Sequence, residues 1–279
     1  MIDTHCHLTF PDFEGRVPET LEEARAAGVD GCITVSTTPE DALEALAVAR
    51  RHERVWSSAG VHPLYSDRID PDDPHAFDAL LTAARDPKCV AWGELGLDNH
   101  YPDPPRDLQD RVLERQLEFI VRSQPEVGPD ARGLPVIIHC REAFDDLIPR
   151  LRESGLDPSR MVFHCFTGTP DDARKVLDFG SLISFTGVVT YRNAAGVAEA
   201  ARLVPDDRIM VETDAPFLSP EPKRGKRPCV PAYSRHTAEF LAKLRGVGFE
   251  DFERRINENT ERFFGIPATS GPAAGGSPA

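Results

Sequence analysis

The chain has 279 residues, of which 40% are hydrophobic and 28% charged. It can form one large domain or two small ones, and this composition excludes collagen, a continuous coiled coil and global disorder. The net charge of −14 argues against a broad basic face for nucleic acid but still allows a small phosphate site. No apolar run reaches the roughly 18 residues that span a bilayer, and no leader-like segment opens the sequence, so the predicted compartment is cytoplasmic.

Short apolar runs along the chain are predicted to be strands. Several are too apolar for a half-exposed strand, above all Val136-Ile137-Ile138, which favours strands buried on both faces, as in parallel sheets. The eight runs are Met1–His5, Gly31–Ser36, Val55–Val61, Lys88–Glu94, Leu134–His139, Met161–His164, Leu182–Phe185 and Arg208–Glu212.

Segments of helical period lie between these runs. Apolar residues from Leu108 to Val121 recur on one face of a helix. The segments 37–41 and 169–172 each combine a capping Thr, an early Pro and acidic first-turn residues. Further helical segments follow at roughly 16–28, 75–85, 142–154, 193–203 and 233–245.

Eight strands alternating with about eight helices predict parallel strands joined by right-handed crossovers. A single (β/α)8 TIM barrel, typically of ~250 residues, is the natural solution. The alternative is an open doubly wound sheet, but no G-x-G-x-x-G follows the first strand. We therefore predict one barrel domain over residues 1–266 and a disordered Ala/Gly/Pro/Ser-rich tail over 267–279.

Candidate ligands gather at the carboxyl ends of the predicted strands, where barrel enzymes carry their active sites. Residues i and i+2 of an extended segment point to the same side, so His5 and His7 can ligate one cation. Four histidines and two carboxylates suit two cations about 3.5–4 Å apart, with a bridging carboxylate and a water. The six predicted metal ligands are His5, His7, Glu94, His139, His164 and Asp214.

Charge and alternation add two expectations. Two divalent cations outweigh two carboxylates, and the residual charge of about +2 is expected to attract an anion such as a phosphodiester. Cys6, Cys140 and Cys165 each follow a proposed ligand. Alternation turns them toward the outer helices, so we interpret them as core residues, with thiolate ligation of a metal as the alternative.

Five motifs together resemble the TatD family of metal-dependent deoxyribonucleases, in order and in approximate spacing, from residue 1 to about 265. The resemblance implies that His5, His7, Glu94 and Asp214 hold one metal, and that Glu94 bridges to a second metal held by His139 and His164. It also places His62 and Glu212 in the active site. The motifs are Asp3-Thr4-His5-Cys6-His7-Leu8, Gly93-Glu94-Leu95-Gly96-Leu97-Asp98, Pro135-Val136-Ile137-Ile138-His139, His164-Cys165-Phe166-Thr167-Gly168 and Glu212-Thr213-Asp214-Ala215-Pro216.

The resemblance implies a 3′-to-5′ exodeoxyribonuclease acting on DNA 3′ ends, expected to be single-stranded. A metal-bridging hydroxide would attack phosphorus, with Asp214 taking the proton of the water. The ligand types favour Zn, Mn, Fe or Co, with Mg as a possible activating ion. No membrane association and no obligate protein partner are expected. The predicted catalytic residues are Asp214, Glu94, Glu212 and His62, and the predicted substrate-binding residues are His62, Arg141, Arg224 and Lys226.

Three departures from the family pattern and three rival functions accompany this reading. The segment 227–233 lacks an Asn-Glu pair, Cys140 replaces a Ser, and a polar insert covers 123–132. One rival is a D-aminoacyl-tRNA deacylase, whose hydroxide would attack an ester. Another is a small-molecule amidohydrolase, disfavoured because no lysine sits at a strand end. The third is an inactive binding module, disfavoured because all six ligand positions are filled.

Overall fold

The computed structural model describes residues 1–130 and 132–268. Eight parallel strands form one sheet in the chain order β1 to β8, and helices connect them, so the predicted single (β/α)8 barrel is confirmed. The strands are β1 (Ile2–Cys6), β2 (Gly31–Thr34), β3 (Val55–Ala59), β4 (Cys89–Asp98), β5 (Val136–Arg141), β6 (Met161–Phe163), β7 (Leu182–Phe185) and β8 (Ile209–Val211).

The sheet closes on itself between β8 and β1. The backbone N–H of Asp214 donates to the carbonyl of His5 at 2.9 Å. Below this bond, the Asp3 carboxyl contacts the backbone N–H of Thr213 at 2.8 Å and its hydroxyl at 2.6 Å. Burial raises the pKa of Asp3 to about 8. The closure therefore holds the carboxyl ends of β1 and β8 next to each other and brings His5 beside Asp214.

Nine helices surround the strands in the described residues, one more than the sequence predicts. A capping Thr is confirmed in both predicted segments, at Thr38 in 37–41 and at Thr169 in 169–172, since each hydroxyl accepts the N–H of the residue three positions on. The helices are α1 (Val17–Ala26), α2 (Pro39–Arg51), α3 (Asp78–Ala84), α4 (Arg106–Ser123), α5 (Phe144–Glu153), α6 (Pro170–Phe179), α7 (Ala195–Leu203), α8 (Ser234–Arg245) and α9 (Phe249–Phe264).

The end of α9 covers the amino-terminal face of the barrel. Phe263, Phe264 and Ile266 are buried and pack with the residues that fill the lower interior, such as Trp56 and Met210. This face is therefore closed by apolar side chains, and the opposite face, where the strands end, remains open.

Two strands extend further than predicted. β4 was expected to end at Glu94 and β5 at His139, but the two pair on to Asp98 and Arg141. The register shifts between Trp92 and Leu95, and such irregularities redirect side chains next to active sites. As a result Glu94 lies within a paired strand, not at its end.

The predicted tail falls mostly outside the described residues. Residues 269–279 are not among them. The first two residues of the predicted tail are described: the carbonyl of Pro267 accepts a hydrogen bond from Arg54, and Ala268 is fully buried. No helix of the described ranges is both long and apolar enough to cross a membrane.

Candidate metal centre

The first group of donors comes from β1 and from the segment after β8. Nε2 of His5 lies 3.5 Å from Oε1 of Glu94 and 3.7 Å from Oδ1 of Asp214. Nε2 of His7 lies 3.6 Å and 3.4 Å from the same two oxygens. Two imidazole nitrogens and two carboxylate oxygens thus face a common point, which is the donor chemistry of a transition-metal site.

The second group of donors surrounds the other oxygen of Glu94. Its Oε2 lies 2.7 Å from Nε2 of His164 and 3.4 Å from Nδ1 of His139. His139 lies on β5, and His164 directly follows β6. The two oxygens of one carboxylate therefore face two different groups of histidines.

Burial without hydrogen-bond partners shows that these residues fit a metal. Nε2 of His5 and Oε2 of Glu94 are buried and make no hydrogen bond to the described residues. The short approach of Oε2 to His164 lacks hydrogen-bond geometry. Buried polar atoms without partners are costly, and a cation accepting their lone pairs would remove that cost.

Contacts on the far side of two rings determine which nitrogen faces the centre. Nδ1 of His7 donates to the carbonyl of Val35 at 2.9 Å, which leaves the Nε2 lone pair free. Nε2 of His139 lies 3.1 Å from Oδ2 of Asp98, which turns Nδ1 toward the centre, where it lies 3.1 Å from Nε2 of His62 and 3.2 Å from Nε2 of His164. Such partners orient metal-ligating histidines and make them more basic.

Glu212 lies behind His164. Its Oε1 is 3.4 Å from Nδ1 of His164 and accepts the N–H of Cys165 at 2.6 Å. Its Oε2 accepts the hydroxyl of Ser184 at 2.7 Å. The carboxylate is 1% exposed and does not line the open cavity. It is thus placed to orient a ring and not to meet a substrate.

His62 contacts the centre but has a different hydrogen-bond pattern. Its Nδ1 accepts the backbone N–H of Leu64 at 3.0 Å, so in the neutral ring Nε2 carries the proton. Burial lowers the pKa of His62 to about 3, which keeps the ring neutral near pH 7. Nε2–H faces His139 and Glu94. Although the position of His62 allows ligation, its tautomer makes it a hydrogen-bond donor.

Electrostatic interactions keep the carboxylates ionised. Although burial alone would raise the pKa of Glu94, the surrounding histidines hold it well below its usual range. Burial likewise opposes ionisation of Asp214, but its hydrogen bond with His7 lowers the pKa. Although burial opposes protonation of His164, Glu94 and Glu212 raise its pKa. Metal binding would displace such protons, so the affinity of this centre is expected to fall in acid.

The centre opens into a cavity of about 520 Å³ at the carboxyl ends of the strands. His7, His62, Glu94, His139, His164 and Asp214 lie on its floor, and aromatic side chains form part of its wall. A volume of this size suits a small ligand or part of a larger one.

Comparisons with known proteins agree with this geometry. A family model described as "TatD related DNase" matches residues 2–265. The chain belongs to the TatD family.

Relatives of this TatD-family chain cover nearly its whole length. It is 38% identical to an uncharacterized metal-dependent hydrolase, YcfH, of Escherichia coli, over 96% of this chain and 97% of the relative. It is 33% identical to the 3′-5′ ssDNA/RNA exonuclease TatD of Enterobacter lignolyticus, over 95% and 99%. The crystal structure of the TatD homologue YJJV from Escherichia coli has a TM-score of 0.86, 30% identity and coverage of 96% and 98%.

The TatD family confirms the predicted class of enzyme. The chain is a metal-dependent hydrolase of the nuclease type, which acts on ester bonds. The structure brings all six predicted metal ligands together at one rim of the barrel, and it brings His62 into contact with them.

Two of the four predicted substrate-binding residues line the cavity of this TatD-family chain, and two do not. His62 and Arg141 line the cavity, whereas Arg224 and Lys226 do not. The guanidinium of Arg224 lies 4.1 Å from the ring centroid of Tyr191, and one of its nitrogens donates to Asn193 at 3.1 Å. Lys226 is exposed in the loop after β8. Their roles stay predictions.

One of the three cysteines differs from expectation. Cys6 and Cys140 are buried in the core, as predicted, although Cys140 also contributes to the cavity lining. Cys165 is only partly buried and lines the cavity. At Cys165 the reason is its backbone φ of 44°, because positive φ ends the strand alternation on which the expectation relied. Burial raises the pKa of Cys165 well above its usual value, so its sulfur remains a thiol.

Asp98 is the functional contact that sequence reasoning missed. It belongs to the Gly93–Asp98 motif, yet no role followed from its position alone. The spacing from Glu94 could have indicated this contact. Asp98 lies four positions after Glu94 on the same strand, so its side chain can face the same rim of the barrel. Pairing of Asp98 with Arg141 brings its carboxylate to His139, two residues earlier on β5.

Proposed function

We propose that this hydrolase is a 3′-to-5′ exonuclease that cleaves single-stranded DNA using two divalent cations. The observation that supports a paired-cation centre is the position of Glu94, whose two oxygens face separate donor groups. The name of one relative, a 3′-5′ ssDNA/RNA exonuclease, supports the choice of substrate and polarity.

We assign the donors to two sites. One cation would be held by His5, His7, Glu94 and Asp214, and the other by Glu94, His139 and His164. The imidazole-rich donors favour Zn, Mn, Fe or Co, with Mg as a possible activating ion. When bound, the cations supply Lewis acidity, which makes water more acidic and compensates the negative charge on the phosphoryl oxygens.

Three side chains of the cavity have further roles in the hydrolysis. Asp214 is ionised and reaches the cavity, so it can accept the proton of the attacking water at a carboxylate oxygen. His62 is neutral and holds Nε2–H beside His139 and Glu94 on the floor of the cavity, so it can donate to a phosphoryl oxygen that enters the centre. Arg141 on the cavity wall can contact a neighbouring phosphate.

We assign Glu212 a positioning role. The sequence predicts it as catalytic, but its oxygens contact His164, Cys165 and Ser184 and not the cavity. It can hold the His164 ring with Nδ1–H toward itself and Nε2 toward the centre. This arrangement matches the carboxylate–histidine pairs that support metal sites.

The charge of the centre differs from the sequence-based expectation of a residual +2. The expectation counted only Glu94 and Asp214. Asp98 and Glu212 are buried within the same cluster, so four carboxylates balance the four charges of two divalent cations. The attraction for phosphate therefore depends on the arginines around the cavity, which lie farther from the cations.

A digestion experiment tests the proposed function. The purified protein, loaded separately with Zn, Mn, Co or Mg, is incubated with an oligonucleotide labelled at its 5′ end. We expect a ladder that shortens from the 3′ end and disappears with a chelator. An intact oligonucleotide under all metals, together with release of a D-amino acid from charged tRNA, would establish the deacylase rival instead.

Glu94→Ala tests the bridging position. We expect loss of hydrolysis by at least about a hundredfold, the order seen when a group stabilising the transition state is removed, together with less bound metal. Metal analysis and single-turnover kinetics measure the two effects. Glu142→Gln is the control, since this exposed carboxylate at the same rim has His100 as its hydrogen-bond partner among the described residues. Full metal content in Glu94→Ala would exclude the bridge.

A further inference from the structure

Two aromatic rings line opposite walls of the cavity, and each carries an arginine. On one wall, the guanidinium carbon of Arg141 lies 5.1 Å from the ring centroid of Tyr101. On the other wall, the guanidinium carbon of Arg227 lies 5.0 Å from the ring centroid of Phe217. Both rings contribute to the cavity lining.

The position of Tyr101 is fixed relative to the metal centre. Its backbone N–H donates to Oδ1 of Asp98 at 3.1 Å, and the other oxygen of Asp98 contacts His139. Arg141 follows His139 by two residues on β5, so both side chains point to the same side of the strand. A substrate on the Tyr101 ring would therefore lie at a set distance from the donors of His139.

The position of Phe217 is linked to the first donor group in a similar way. Phe217 packs edge-on against Phe10, with centroids 6.0 Å apart. Phe10 in turn stacks on the His7 ring at 4.7 Å. This apolar wall stands directly above a predicted ligand.

Strand order places the two walls across the cavity from each other. Tyr101 and Arg141 follow β4 and β5, whereas Phe217 and Phe10 follow β8 and β1. These strand pairs are four positions apart in an eight-stranded barrel, which is the largest separation around the ring. The metal donors lie between them.

We propose that the two rings are nucleobase-stacking subsites for the two nucleosides that flank the scissile phosphate. The inference rests on the proposed nuclease function and names the part of the substrate that the walls hold. An aromatic face stacks on any base, and a guanidinium beside it supplies both a stacking plane and donors for phosphate oxygens.

The exposure and the charges of the pairs support this assignment. Tyr101 is 47% exposed, so its ring is accessible to a base that enters the cavity. Arg141 has no carboxylate within 4 Å among residues 1–130 and 132–268, whereas Arg227 is 3.5 Å from Asp12. The free charge thus lies on the Tyr101 side, where the balanced metal centre leaves phosphate attraction to the arginines.

A double-mutant cycle between ring and base tests the proposal. The protein variants are Tyr101→Ala and Phe217→Ala, and the substrates carry an abasic nucleotide at the last or the penultimate position of a single-stranded oligonucleotide. On intact substrate we expect kcat/KM of each variant to fall roughly tenfold, the order measured for loss of a base–aromatic stack. On the substrate lacking the base stacked by that ring, the loss should shrink to about twofold or less.

Rescue and control variants separate stacking from packing. Tyr101→Phe keeps the ring and should restore most of the kcat/KM that Tyr101→Ala loses. Phe217→Leu keeps apolar volume without an aromatic face. Its kcat/KM should fall as far as that of Phe217→Ala, so it replaces that variant if Phe217→Ala folds poorly. Phe249→Ala is the matched control, because Phe249 lies under Arg235 at 4.6 Å but outside the cavity lining, and its kcat/KM should be unchanged.

Binding without metal gives a second readout. Fluorescence anisotropy of a labelled oligonucleotide in a chelator should show a Kd about tenfold weaker for Tyr101→Ala. Equal losses on intact and abasic substrates at both positions would overturn the subsites while leaving the nuclease function in place. Absence of cleavage by the wild-type protein would instead contradict the proposed function. The stacking at Tyr101 would then be decided by the Kd values of the wild type and Tyr101→Ala on intact and abasic oligonucleotides.

Discussion

His7 and His139 present different ring nitrogens to the metal centre, and in each case a neighbour decides which one. The carbonyl of Val35 occupies Nδ1 of His7, whereas Asp98 occupies Nε2 of His139. The sequence indicates that these rings meet, because both lie at strand ends. It does not indicate the ring nitrogen, since that depends on Val35, which follows β2, and on Asp98 at the end of β4.

Asp98→Asn tests this orientation. The amide cannot serve as acceptor both for the loop N–H groups of His100 and Tyr101 and for His139. We expect metal affinity or kcat to fall about 10- to 100-fold, the usual effect of losing such a partner. Chelator competition and steady-state kinetics measure the two quantities.

The appropriate control is Asp146→Asn, an exposed carboxylate that contacts Asn99 and Arg106. Its metal affinity should equal that of the wild type. If Asp98→Asn binds metal as tightly as this control, Asp98 does not support the centre through His139.

At the scale of elements, the strands were predictable to within a few residues, and the helical caps at Thr38 and Thr169 to within one residue. These succeeded because local periodicity and capping chemistry set them. The extensions of β4 and β5 to Asp98 and Arg141 depend on pairing between the two strands, which no local pattern reports. α9 was missed because eight strands lead one to expect eight helices.

α9 is expected to contribute strongly to stability. Phe264 is 6% exposed and packs into the lower barrel interior, so Phe264→Ala should lower the free energy of unfolding by about 3–5 kcal/mol. Denaturant titration in the metal-free protein measures this change. Leu43→Ala on α2 is the control. Because Leu43 is 41% exposed, its replacement should lower the free energy of unfolding much less. Equal losses would show that α9 is dispensable for the barrel.

At the scale of the whole molecule, the six ligands could be predicted because barrel topology brings all strand ends to one rim. The positions of the Arg224 and Lys226 side chains could not be predicted, since the sequence of the loop after β8 has no periodicity that indicates their orientation. The rings of Phe10, Tyr101 and Phe217 lie in similar loops. The sequence thus predicted the location of residues on strands and strand ends better than that of residues in the loops that form the cavity walls.

Metal removal should affect the entire fold, because the donors come from five different strands or strand ends. A ligand present at a hundred times its Kd stabilises the native state by about 2.7 kcal/mol, which for a chain of this size is a rise in Tm of a few degrees. Thermal denaturation with and without chelator measures the shift. An identical Tm in both conditions would mean that the centre binds no metal tightly.

Because α9 covers the amino-terminal face, the chain reaches residue 268 at the end of the barrel opposite the cavity. Residue 268 lies beside Arg54 and Glu261, on the far side from the cavity mouth. A tether attached beyond this residue would anchor the enzyme to a bead or chip with its mouth directed outward. A long DNA strand could then reach the catalytic face without obstruction from the support.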